Sequence, residues 1–300
     1  MQNILPTKRH VGVIALTLSA FALGGCGLTQ SAPSVQESQD RTIRMIVTES
    51  APFQEPTEIA KELLAEQGWD LQPTYVTDII QPNHVVSEGE YDANYFQHLS
   101  YLEQFNEDND TKVEPAFSTF YMPNGFFSLE YDSLDQLPDN AEISLAVDTT
   151  NNGRGIKILA DAGLIEIDES VPISGLSQDD IIANPHGFNF VEIDLQSTGQ
   201  TLPDVDAAFA PTRLVAEAGY DIADTTLVLE ESTTFKEPFT VVVGVRPGSQ
   251  DSEKIQALQQ AFQSEEVAAW FDDYLDGAIE YNYDITTENA QELWSEFTAE

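Results

Sequence analysis

Cysteine is almost missing from this sequence: 300 residues contain one, Cys26. An intrachain disulfide and a structural zinc site built on thiolates are therefore excluded. Cations are nearly as scarce. Twelve Lys and Arg stand against 52 Asp and Glu, for a formal net charge of −40. Such a chain repels phosphate backbones and anionic headgroups, which excludes nucleic acid as a partner. The four histidines, His10, His84, His98 and His186, show no metal-ligand spacing. No G-x-S-x-G, P-loop or H-E-x-x-H pattern occurs, so the chain does not read as an enzyme and calls for no cofactor. Chance pairs among so many carboxylates do not by themselves mark a glycosidase. No long apolar run follows the first 25 residues, so none is expected to span a membrane.

What is present suffices for two domains of ordinary size. Hydrophobic content is 41% and aromatic content 10%, enough for sizeable cores. The acids are spread along the whole chain. They fit either a site for cations or solubility in a salty medium, where ions screen self-repulsion within roughly 3 Å at 1 M.

The amino terminus reads as an address. Lys8, Arg9 and His10 precede an apolar stretch from Val11 to Leu23, too short for a comfortable membrane span. Leu23-Gly24-Gly25-Cys26 then resembles a bacterial lipobox, placing the only cysteine where such a motif needs it. The resemblance implies a signal peptide over residues 1–25 and a lipid anchor on the Cys26 thiol. It also implies attachment to the outer, extracytoplasmic face of the cell membrane. Residues 26–41 are polar and poor in bulky side chains, as a tether would be.

From there strands and helices alternate. Ile43, Met45 and Val47 mark a first strand, and Glu58 to Gln67 a helix stopped by Gly68. Strands are predicted at 71–80, 91–96, 142–147, 190–195, 205–210, 226–230 and 239–245. Helices are predicted at 82–88, from 100, and at 152–162, 213–218, 252–263 and 265–274. This alternation predicts α/β lobes built on open, mostly parallel sheets, with ligands at the carboxyl ends of strands.

The run Asp92-Ala93-Asn94-Tyr95-Phe96-Gln97-His98 is the most distinctive in the chain. Gln81-Pro82-Asn83, Thr150-Asn151-Asn152-Gly153-Arg154 and Leu202 to Ala208 accompany it, with Phe262 to Val267 near the end. Through these motifs, which extend over nearly all of residues 42–280, the chain resembles the methionine-binding lipoproteins of ABC importers. The resemblance implies a periplasmic-binding-protein fold, two α/β lobes joined by two hinge crossover strands. Lobe 1 is expected over 42–122 plus 242–300, and lobe 2 over 123–241. The implied function is capture of an amino acid, methionine foremost, between closing lobes and its delivery to the ABC transporter permease. A surface adhesion or structural lipoprotein is the reading of a different class. It would leave a lone arginine at a helix start unexplained.

The resemblance assigns ligand contacts to Tyr95, His98 and Arg154, and Asn151 and Thr212 are further candidates from their own positions. Tyr95 and Phe96 are adjacent, so on a strand at most one of them lines the pocket; either both are core or, as the resemblance implies, Tyr95 faces the ligand. His98 sits past the strand end, where it either caps a helix or reaches the ligand. Asn151 either caps the following helix or lines the cleft. Arg154, expected in the first turn of that helix, either neutralises Asp148 or clamps a carboxylate through its fork of donors. In a wet cleft, its loss would cost binding about 1.5–3 kcal/mol and fold stability little.

Two positions depart from the family pattern. Ile79 stands where a tyrosine is usual. Pro211 stands where the family carries an asparagine that binds the amino acid. Proline offers no polar side-chain group. One polar contact is therefore missing or relocated, with Thr212 and Arg213 nearest. The ligand is then methionine bound more weakly, or a relative such as a methionine-containing dipeptide or another amino acid.

Overall fold

The computed structural model describes residues 41–299. Cys26, the signal peptide and the tether lie outside the described residues. Two sheets divide the chain. The first contains β1 (Thr42–Thr48), β2 (Asp70–Val76), β3 (Ala93–His98) and β4 (Glu114–Tyr121). The chain then crosses to the second sheet through Met122 and Pro123 and enters β5 (Asn124–Phe127) and β6 (Glu142–Ala146). A separate two-stranded ribbon pairs β7 (Glu166–Ile167) with β8 (Ile181–Ala183). The second sheet is completed by β9 (Asn189–Ile193), β10 (Ala207–Pro211) and β11 (Thr226–Leu229). Residues 230–240 return the chain to β12 (Val241–Val245) and later β13 (Glu280–Tyr281) of the first sheet. Strand orders are β13-β4-β12-β3-β1-β2 and β11-β5-β10-β6-β9. Both sheets are mixed rather than mostly parallel. β12 runs antiparallel to β3 and β4, and β5 antiparallel to β10 and β11, because the crossovers carry the chain back between lobes.

The helices are α1 (Ala51–Glu66), α2 (Gln81–Ser87), α3 (Leu99–Asn109), α4 (Thr149–Asp161) and α5 (Thr212–Glu217). They continue with α6 (Ile222–Thr225), α7 (Ser232–Phe235), α8 (Glu253–Phe262), α9 (Glu265–Asp273) and α10 (Ala290–Phe297). Among the described residues, none is long and apolar enough to cross a membrane.

Helix α1 begins seven residues before its predicted start because two prolines are accommodated. Pro52 lies in the first turn, where its missing N–H costs nothing. Pro56 leaves the Pro52 carbonyl without its intrahelical donor, and the Tyr95 hydroxyl approaches that oxygen at 3.5 Å. Helix α4 also starts early. Asp148 is its N-cap and accepts the Asn151 N–H at 3.0 Å, so Arg154 falls in the second turn. Gly153 is required by packing: a Cβ there would lie 1.9 Å from the Ile173 carbonyl oxygen.

Much of the distinctive motif is internal scaffolding. Gln97 accepts from the Asn83 amide at 2.7 Å and donates to Asn83 and Asn94 at 2.8 and 2.9 Å. Asn94 donates to Asn83 at 2.8 Å. These three buried amides satisfy one another and tie α2 to β3. Gly244 on β12 makes room for them, since a Cβ there would meet Asn94 Oδ1 at 2.6 Å. Lobe 1 closes over Met45, Phe117, Leu258 and Phe271, and lobe 2 over Ile143, Leu145, Ile156 and Phe209.

Candidate ligand-binding cleft

The cavity that matters lies between the lobes. It is lined by residues of both lobes, aromatic on some walls and polar on others. Phe53, Phe96, Phe120, Met122 and Phe239 supply apolar walls. His98, Tyr101, Asn124, Asn151, Arg154, Gln196 and Arg213 supply polar groups.

Arg154 projects from α4 and is 3% exposed. Its Nε donates to Glu230 Oε2 at 3.0 Å, and its Nη2 donates to Glu230 Oε1. Glu230 comes from the returning crossover and also accepts the Tyr121 hydroxyl at 2.9 Å and the Asn124 N–H at 3.1 Å. The guanidinium stacks on Phe239 at 4.2 Å, and Nη1 donates to Asn151 Oδ1 at 3.3 Å. One edge of the planar fork is thereby pinned to Glu230. With three of its five N–H groups engaged, two remain for a carboxylate in the cavity. The partner of Arg154 is thus Glu230, 76 residues away, and not the nearby Asp148.

His98 caps α3: its Nδ1 accepts the Tyr101 N–H at 3.1 Å. That bond fixes a neutral ring with the proton on Nε2, which faces Asn151 Oδ1 at 3.4 Å across the cleft. Burial, reinforced by the Arg154 charge, pushes the His98 pKa down to about 3 from 6.5. The sign follows: below pH 6.5 the unfolded chain gains a proton that the folded chain refuses. The contribution of His98 is complete above pH 6.5 and is lost on acidification toward pH 3, at about 1.4 kcal/mol per pH unit. His98→Gln should flatten this part of the stability profile in denaturant titrations from pH 7 to 4. An identical slope in the variant would assign it elsewhere. Asp148 acts with the opposite sign, since burial raises its pKa despite hydrogen bonds from Asn151 and Thr150.

The other expected contacts divide. Asn151 lies on the cavity wall and joins both His98 and Arg154, while Asp148 does the capping. Tyr95 is wholly buried in the lobe 1 core, edge-on to Phe53 and Phe262 at 4.9 and 5.1 Å. Strand alternation gives the cavity to Phe96 instead. Thr212 is also turned away: its hydroxyl donates to the Pro123 carbonyl at 2.5 Å, where the chain enters lobe 2. Arg213 does reach the cavity. It donates to Ser50 Oγ at 2.9 Å and Gln196 Oε1 at 3.1 Å, and stands 3.7 Å from Glu217. Ser50 in turn donates to Glu217 Oε1 at 2.5 Å, so lobe 1 and lobe 2 are bridged here as well as at His98. Beside Ile79, the Tyr101 hydroxyl donates to the Ile79 carbonyl at 2.9 Å, which brings a tyrosine to that wall from α3. Sequence reasoning did not identify Glu230 or Asn124. Both are ordinary polar residues at strand ends, and only the pairing of distant strands brings them to Arg154.

Most of the described residues, from within β1 to the end of β13, match one family model. The NlpA lipoprotein model aligns with residues 45–281. This chain belongs to the NlpA lipoprotein family. The methionine-binding lipoprotein MetQ of Bacillus subtilis is 30% identical over 275 residues, 91% of this chain and 97% of that protein. A nutrient-binding protein from Burkholderia cenocepacia, solved bound to methionine, has a TM-score of 0.75 at 25% identity, covering 80% of this chain and all of that one. An ABC transporter periplasmic substrate-binding protein from Coxiella burnetii has a TM-score of 0.74 at 27% identity, over 80% of this chain and 100% of that one. The NlpA-family protein described here accordingly has the two-lobed periplasmic-binding-protein fold. Membership of a lipoprotein family accords with the lipobox read at Cys26.

Proposed function

We propose that this protein is an extracytoplasmic receptor that captures an amino acid between its lobes and passes it to an ABC importer permease. Methionine is the first candidate, as the names of its relatives suggest. The lipid on Cys26 would hold it to the outer membrane face, within reach of the permease. The observation that carries this reading is Arg154, fixed by Glu230 against Phe239, with two donors left over an aromatic-lined cavity. That arrangement suits a carboxylate at one end of a molecule with an apolar tail, and sulfur–aromatic contacts of about 0.3–1.5 kcal/mol suit a thioether. No catalytic role is proposed.

A thermal-shift panel of the twenty amino acids tests the proposal. A ligand at 100 times its Kd adds about 2.7 kcal/mol of stability, or roughly 5–10 °C in Tm for a protein of this size. L-methionine is expected to give the largest shift. If no amino acid moves Tm, the receptor reading fails.

A further inference from the structure

The cavity wall holds two arginines and no aspartate or glutamate, although the protein has 52 of them. Glu230 lies behind Arg154, with both oxygens engaged by Arg154, Tyr121 and Asn124. Glu217 lies behind Arg213. A free α-ammonium group entering this cavity therefore meets no carboxylate and needs a neutral acceptor.

Asn124 is placed to be that acceptor. It is 4% exposed and lines the cavity; the hydrogen bonds it makes among the described residues are through its backbone, and its amide borders the cavity's free space rather than being sealed off unpaired. That leaves an acceptor oxygen and two donors available to a ligand in the cavity. Its backbone is held firmly: its N–H donates to Glu230 Oε1 and its carbonyl accepts the Glu230 N–H at 3.0 Å. The position of Asn124 is thus tied to the residue that pins Arg154. In the antiparallel register of β5 and β10, Asn124 sits directly opposite Pro211. Residues so paired share a face with Cβ atoms about 4.5–5.5 Å apart. An amide at 124 therefore serves the same corner of the cavity as a side chain at 211. The neighbouring candidates are committed: Thr212 to the Pro123 carbonyl, Arg213 to Ser50 and Gln196.

We propose that Asn124 is the specificity-determining residue for the amino group. Its Oδ1 accepts from the ligand's ammonium while Arg154 holds the carboxylate, so the site selects free amino acids over their des-amino analogues. This rests on the amino-acid-receptor reading above. The test is calorimetry with L-methionine and with its des-amino analogue, the same thioether acid lacking the amino group. Wild type should prefer L-methionine by about 10- to 100-fold, the scale of one hydrogen bond to a charged group. Asn124→Leu, close in volume, should lose that preference by weakening L-methionine alone. Asn124→Asp, which restores an acceptor, should keep it. Equal weakening of both ligands in Asn124→Leu, or an undiminished preference, would overturn the role while leaving the receptor reading intact. Wild type that binds neither probe would overturn both.

Discussion

Arg154→Ala should cost about 3–5 kcal/mol of folding stability in addition to ligand affinity. The sequence suggested a cleft arginine in contact with water, whose loss would spare the fold. Burial reverses that expectation. Both side chains of the Arg154–Glu230 pair are almost wholly out of water. Removing one partner leaves the other charged, desolvated and unpaired, the most expensive way to break such a pair. The damage would spread, because Glu230 also holds Tyr121 and the β5 backbone at Asn124. Two further variants separate fold from site. Glu230→Gln should also destabilise, since Arg154 then lacks its counter-charge. Arg154→Met combined with Glu230→Gln should recover much of the stability, because no unpaired charge remains, but none of the carboxylate binding. Denaturant melts give the first quantity and calorimetry the second. A double variant as unstable as either single one would refute the unpaired-charge explanation. A double variant that binds normally would remove Arg154 from the ligand site.

The second large effect is salt. Raising sodium chloride from 0.1 to 1 M shortens the screening length from about 10 to 3 Å. Repulsion among the excess of 40 negative charges is then confined to nearest neighbours. Cations within the fold cannot do this, because they are few and most are already placed. Arg44 and Lys254 share Asp92, Lys61 meets Glu58, Lys236 meets Glu280, and Arg246 is spent on the backbone carbonyls of Val86 and Tyr91. Tm should therefore climb on the order of 5–10 °C across that range. Sucrose, which stabilises by exclusion without screening, provides the comparison. A Tm that ignores salt would mean that the carboxylates are compensated locally.

The sequence alone determined whatever depends on local pattern or on a short run of residues. The order of the main strands and helices up to α9 and the motifs around His98 and Arg154 belong here, beside the lipobox, a short motif read outside the described residues. Strand periodicity and helix stops are properties of a few consecutive residues, so they were legible. Alternation also said that at most one of Tyr95 and Phe96 faces the site, and the resemblance chose Tyr95. Tertiary contacts reversed that choice, with Tyr95 going to the proline-bearing helix α1 and Phe96 to the cavity. Tertiary structure likewise decided the partner of Arg154, because Glu230 arrives from a segment 76 residues away by way of the second crossover. It turned Thr212 to the backbone at Pro123, brought Arg213 to the wall, and set Asn124 across from Pro211. Each of these is a relation between distant strands or lobes. Register and lobe closure fix such relations by burying one face of each strand, and they leave no mark in the run of residues on either side.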